Sequence, residues 1–179
     1  ELQELHMERT RMAFLHEERL VETWDRHGPA ILEFLIAPNV GEDPRPLSKI
    51  ASGGELSRVL LAIKRVLTGK AGLASTYIFD EVDAGIGGSV AEAVGKKLKQ
   101  VGKSHQVICI THLPQVAAHG DYHFRIQKET MGKRTVTHVN RLDHEERVEE
   151  MARMVAGSKV TKIARGHAAE LLERGLSGG

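Results

Sequence analysis

Thr76-Tyr77-Ile78-Phe79-Asp80-Glu81-Val82-Asp83-Ala84-Gly85-Ile86-Gly87-Gly88 is the stretch on which the reading of this chain turns. A short apolar run, aromatic and β-branched, ends abruptly in two carboxylates and then in glycines. The run predicts a buried strand, with the acids at its carboxyl end. In sheets built with helices, that end is where ligands bind. A carboxylate held there by a rigid strand suits a divalent cation, bound directly or through water. Strand neighbours alternate in direction, so the second acid points elsewhere and suits orienting or deprotonating a water. Taken alone, the pattern is better explained by two acids opening a solvated loop.

Two further signals flank it. Upstream, Ser52-Gly53-Gly54-Glu55 leads into Leu56, Val59, Leu60, Ile63 and Leu67, spaced as one face of an amphipathic helix. Glycines allow a phosphate to approach the backbone, and a helix start offers free N–H groups and positive dipole. A Ser N-cap on a loose approach accounts for the same residues. Downstream, the apolar run Gln106 to Thr111 predicts a second buried strand ending in Thr111-His112, where an imidazole can meet a phosphate or a water. An isolated histidine there is more simply a polar residue closing a strand.

The remaining elements follow from punctuation and periodicity. Residues 1–27 lack Gly and Pro and carry Glu, Arg, Leu and Met, which predicts a helix. Its stripe of Leu2, Leu5, Met12, Leu15 and Leu20 is ragged. Ile31 to Ile36 reads as a strand or a buried helical turn, Asn39 to Pro46 as a loop, and Gly69 to Ser75 as another. Helices are expected at Val90–Val101, Leu113–Ala118, Glu145–Val155 and Val160–Arg174, with a hairpin formed by Tyr122–Gln127 and Thr135–Leu142 about a turn at Thr130–Lys133. Strands alternating with helices argue for an α/β fold with a largely parallel sheet flanked by helices.

Composition narrows the function. The chain has 179 residues and a formal net charge of +1, so a strong nonspecific hold on nucleic acid is not written into overall charge. The single cysteine, Cys109, has no internal partner and sits in an apolar run, as expected of a buried thiol in a reducing compartment. No apolar stretch approaches membrane-spanning length. The charged start ELQELHMERTRM has no signal-peptide core and no initiator Met, which reads as a piece of a longer chain.

The three signals are weak singly and specific in their order. SGGELSR (Ser52 to Arg58) resembles the signature motif of ABC-type ATPases in its SMC-like form. TYIFDEVDAGIGG (Thr76 to Gly88) resembles a Walker B strand followed by a D-loop, and ICITHLPQVAAHGD (Ile108 to Asp121) resembles a switch-histidine segment. The resemblance to the SMC-like ABC ATPases of DNA repair runs from about residue 30 to the end. It implies the C-terminal half of an ATPase head (residues 28–179), with residues 1–27 as the end of a returning coiled-coil arm. It implies ATP and Mg²⁺ as cofactors: Asp80 supporting Mg²⁺, Glu81 as the catalytic glutamate and His112 as the switch histidine. Ser52, Gly53, Gly54 and Glu55 would contact ATP on the other head of a homodimer. Asp83, Gly85 and Gly87 would form the D-loop. A bacterial, cytoplasmic, nucleoid-associated protein acting on DNA in recombinational repair of double-strand breaks is implied as well. One departure stands out: SMC-like D-loops end in Asp where this chain has Gly87, so the cross-dimer contact does not pass simply to Asp83.

The chain also lacks a P-loop. Gly102-Lys103-Ser104 has Lys97 where the earlier glycine is required, and Gly69-Lys70-Ala71 lacks the hydroxyl residue. The resemblance implies that the P-loop lies in the N-terminal half of the same protein, and that this chain alone neither binds ATP tightly nor hydrolyses it. Other conspicuous residues have plain readings. His119, Asp121 and His123 are spaced for a metal but read as surface polarity. Lys96, Lys97, Lys99 and Lys103 read as a solvated basic face with a DNA contact as the alternative, and Arg58, Lys64 and Arg65 as surface charges. A non-catalytic docking module and a transporter nucleotide-binding domain are the competing functions. The polar residues kept at Asp80, Glu81 and His112 argue against the first, and the missing P-loop against the second.

Overall fold

The computed structural model describes residues 1–26, 28–50, 52–67, 76–132 and 134–177. It opens with a helical turn, Gln3–Leu5, and then strand β1 (Arg11–Glu18), which pairs antiparallel with β2 (Ala30–Ala37) along its whole length, from Arg11 opposite Ala37 to Glu18 opposite Ala30. The helix expected over residues 1–27 is therefore corrected: the described residues there form two short helical turns, Gln3–Leu5 and Val21–Thr23, and between them the strand Arg11–Glu18. The residue types favour a helix, but β2 offers an eight-residue ladder carrying Ile31, Phe34 and Ile36, and tertiary pairing overrides propensity. Phe14 meets Phe34 across the pair with ring centroids 4.4 Å apart. The two-residue β3 (Arg45–Pro46) closes the sheet against Leu35 and Ile36.

Helix α1 (Gly53–Leu67) follows, then β4 (Thr76–Phe79), α2 (Gly88–Gly102), β5 (Gln106–Cys109) and the single turn α3 (Pro114–Ala117). The loop expected at Gly69–Ser75 lies outside the described residues. β4 and β5 pair in parallel, the one parallel pairing among the described residues; the other two sheets are antiparallel. α1 and α2 cover one face of the parallel pair, where Leu61, Ala62, Tyr77, Phe79, Val94, Leu98 and Val101 form the main core. Each fully buried Val or Leu there contributes about 1.5–3 kcal/mol of transfer free energy. The other face is bare: Ile78, Ile108 and Ile110 are 67%, 45% and 52% exposed. Parallel strands are ordinarily covered on both sides.

β6 (Phe124–Met131) and β7 (Arg134–Arg141) form the expected hairpin, with Phe124 opposite Arg141; Lys133 of its turn lies outside the described residues. α4 (His144–Ala156) starts on a capping box in which the Asp143 side chain and Glu146 satisfy each other's backbone N–H. It packs on α5 (Lys162–Ser177) through Met151, Ala152, Ala164, Ala168 and Leu172. Gly175 lets α5 touch α3, since a Cβ there would lie 2.2 Å from the Ala118 carbonyl oxygen.

Candidate functional site

Because β4 and β5 run parallel and in register, Phe79 opposite Cys109, their carboxyl ends coincide. The Ile110 N–H donates to the Phe79 carbonyl at 2.9 Å and extends the pairing by one step. Asp80-Glu81 thus leaves one strand beside Thr111-His112 leaving the other. Asp80, Glu81 and His112 are all exposed. The hydroxyl of Ser57, on the first turns of α1, donates to the Asp80 carbonyl at 2.8 Å, so the helix is tied to the strand end.

Glu81 has φ of 55°, the left-handed region that costs a residue with a Cβ about 1–2 kcal/mol. The turn it opens is closed by the Ala84 N–H donating to the Glu81 carbonyl at 3.0 Å. The start of α1 lies on this turn. A Cβ on Gly54 would sit 2.9 Å from the Ala84 Cβ and 3.1 Å from the Glu81 carbonyl oxygen; one on Gly53 would sit 2.9 Å from Glu81 Oε2. Ser52 Oγ accepts from the Glu55 N–H at 3.4 Å, and the Ser52 carbonyl accepts from Leu56 at 3.1 Å, so Ser52 caps the helix. Its hydroxyl proton remains available to a ligand, and cap and ligand contact are compatible.

Arg58 departs from its expected surface role. It is buried, and its Nη1 donates to the carbonyls of Val82 at 3.4 Å and Ala84 at 3.1 Å, holding the turn from below. Burial pulls its pKa down, opposed by Glu55. Its spacing already carried a signal: Gly54, Arg58, Leu61 and Ala62 share one helical face, the face that is buried. Lys64 lies over the Tyr77 ring, 4.9 Å from its centroid, and Arg65 donates to Gln100 at 2.9 Å.

Asp83 points inward and is 2% exposed. Its Oδ2 accepts from the Thr111 hydroxyl, from the His112 N–H at 3.0 Å and from the Leu113 N–H at 3.3 Å, and it lies 3.3 Å from His112 Nδ1. Sequence reasoning missed this: nothing in the spacing of Asp83 and Thr111 shows that they meet. Gly85, at φ of 71°, occupies a conformation that favours glycine, whereas Gly87, the N-cap of α2 at φ of −169°, is extended backbone open to any residue. Burial first, then Asp83 and Asp80, push the half-buried Cys109 thiol up to about 12.

The spaced trio on the far side of α3 is not gathered as metal ligands. His123 Nε2 is 2.7 Å from the Ala117 carbonyl, Asp121 takes Lys99 at 2.5 Å, and the His119 ring packs over Gly95. Among the described residues no group of three or more His, Cys, Asp or Glu can hold a metal on its own.

No family model matched the chain. A DNA repair protein RecN from Halalkalibacterium halodurans is 42% identical over 179 residues, 99% of this chain and 32% of that protein. RecN from Bacillus subtilis is 50% identical over 147 residues, 82% of this chain and 25% of that protein. The chain matches the C-terminal part of RecN. The chain spans about a third or less of the length of these relatives. Its fold is that of an SMC-type head lobe. A solved chain from work on ATP-driven dimerization and DNA-stimulated activation of SMC ATPases superposes with a TM-score of 0.51 at 21% identity, over 88% of each chain. The Smc head domain with coiled coil and joint from Pyrococcus yayanosii gives 0.55 at 23% identity, over 84% of this chain and 26% of that one.

Proposed function

We propose that this chain is the C-terminal half of an ATP-binding and ATP-hydrolysing head that works in recombinational repair of DNA double-strand breaks. The observation that carries the reading is the meeting of Asp80-Glu81, Thr111-His112 and the start of α1 at one sheet edge. Three separate stretches of sequence converge there on groups suited to a triphosphate: carboxylates, an imidazole and a glycine-lined helix start.

Glu81 orients the attacking water and accepts its proton, His112 meets the γ-phosphate, and Asp80 supports Mg²⁺. The donor set fits that ion. A lone exposed carboxylate is too little for an all-protein metal cage, but Mg²⁺ in nucleotide sites keeps its waters and takes most other ligands from phosphate. Held there, Mg²⁺ would supply charge neutralisation at the phosphates, while the chain's own residues position the water and close the edge. The P-loop comes from the N-terminal part of the same protein, and packing of that part against the bare face of Ile78, Ile108 and Ile110 covers the second side of the sheet. Ser52, Gly53 and Gly54 reach the ATP of a second head, so that hydrolysis is tied to head dimerisation. Because β1 pairs with β2, residues 11–18 belong to this lobe as well.

The test is ATP turnover by the full-length protein carrying this segment, beside the segment alone. Glu81→Gln is expected to lower kcat by about 10²–10⁴-fold while ATP is still bound. The segment alone is expected to be inactive. Turnover in the isolated segment that Glu81→Gln abolishes overturns the split-site reading, and undiminished turnover in the full-length variant overturns the role of Glu81.

A further inference from the structure

Asp83 has no part in the reading above, yet it is among the largest fully buried side chains and its carboxylate is engaged on several sides. We propose that Asp83 is the positioning residue for His112: a buried carboxylate that fixes the segment Thr111–Leu113 and selects the ring orientation and tautomer of the histidine. The inference rests on the ATPase reading for its kinetic consequence, but not for its structural one.

A single oxygen, Oδ2, gathers the contacts. It accepts from two successive backbone N–H groups, His112 at 3.0 Å and Leu113 at 3.3 Å, and from the Thr111 hydroxyl. Thr111 Oγ1 in turn accepts from the Leu113 N–H at 3.1 Å. These bonds decide where the chain leaves β5. The same oxygen stands 3.3 Å from His112 Nδ1. A carboxylate that close to one ring nitrogen favours the tautomer with the proton on that nitrogen, which leaves Nε2 as the other functional atom. The His112 side chain is 72% exposed, so Nε2 is not claimed by the core. A purely structural acceptor at position 83 needs no negative charge, because an amide oxygen satisfies backbone N–H groups and a hydroxyl. A buried charge is costly, and here the side-chain nitrogen nearest its Oδ2 is Nδ1 of the His112 ring, at 3.3 Å. The inward aim of Asp83 also fits the departure at Gly87: the acid that this loop does contain serves its own head rather than a neighbour.

The experiment uses the full-length protein in two readouts. In ¹⁵N-histidine-labelled protein, with His112 assigned by its loss in His112→Ala, the ring is expected to carry its proton on Nδ1, and Asp83→Asn is expected to shift that balance toward Nε2. An Nε2-protonated ring in the unsubstituted protein overturns the proposal, whether or not the variant folds. In steady-state kinetics, Asp83→Asn is expected to lower kcat about tenfold with KM for ATP within about twofold, and to cost less than about twofold in a His112→Ala background. An equal loss in both backgrounds overturns it, since the acid would then act on the fold and not through the histidine. If the tautomer behaves as stated while His112→Ala leaves turnover intact, the positioning role stands and the ATPase assignment of His112 falls.

Discussion

Gly53 lies against the carboxylate of Glu81: a Cβ on residue 53 would come within 2.9 Å of Glu81 Oε2. The neighbouring Gly54 is confined by rigid atoms of the turn instead: a Cβ there would lie 2.9 Å from the Ala84 Cβ, 3.0 Å from the Ala84 carbonyl oxygen and 3.1 Å from the Glu81 carbonyl oxygen. The two glycines of one motif therefore answer to different neighbours. A carboxylate end swings away from a new methyl group, whereas a turn pinned by Arg58 does not. Gly53→Ala is expected to leave thermal stability within about 0.5 kcal/mol and to lower ATP turnover by displacing Glu81. Gly54→Ala is expected to cost about 1–3 kcal/mol through overpacking. Thermal melting and turnover measured side by side on the full-length protein separate them; equal stability losses would contradict the geometry.

A pH dependence follows from the cluster between α3 and α4. His119 has its pKa lowered from 6.5 by burial first and by Lys96 next. His123 is lowered by burial first and then by Arg147, which also donates to the Gly120 carbonyl at 2.6 Å. A histidine whose folded pKa is depressed binds its proton more readily in the unfolded state. Stability is therefore fully present above the unfolded value of 6.5 and is lost as pH falls below it toward the depressed folded values. The melting temperature of the full-length protein is expected to drop between about pH 7.5 and about pH 5.5. His123→Gln, which keeps a donor for the Ala117 carbonyl, is expected to shallow that drop. A pH-melting series on both proteins checks it, and identical slopes would exclude His123.

The lysines of α2 do not form a free basic face. Lys96 pairs with Glu92 at 2.7 Å, Lys97 with Glu1 at 2.8 Å and Glu4 at 2.6 Å, and Lys99 with Asp121 at 2.5 Å. Acids cancel the charge on which a hold on DNA phosphates depends. Replacing Lys96 and Lys99 together by Ala is expected to change DNA affinity of the full-length protein by less than about twofold, with no change in its salt dependence. Two true phosphate contacts would instead reduce the salt slope by about 2. DNA titrations at several salt concentrations distinguish these results.

The sequence by itself determined the apolar strands that end in Asp80-Glu81 and Thr111-His112, the glycine-led helix at Ser52, the hairpin and the two closing helices. Those signals are local: residue type, period and punctuation act over a few positions, and the parallel pairing of two apolar strands, covered on one face only, then brings their polar ends to one edge. What only the tertiary structure decided was nonlocal. Residues 11–18 became a strand because β2 lies beside them, from Glu18 opposite Ala30 to Arg11 opposite Ala37, and no composition rule weighs a partner that far along the chain. Arg58 and Asp83, charged residues that composition places on a surface, are buried because turn carbonyls and the Thr111–Leu113 segment reach them from distant parts of the chain. Hydrogen bonds of that reach depend on where two segments cross in space, and a linear order of residues does not state it.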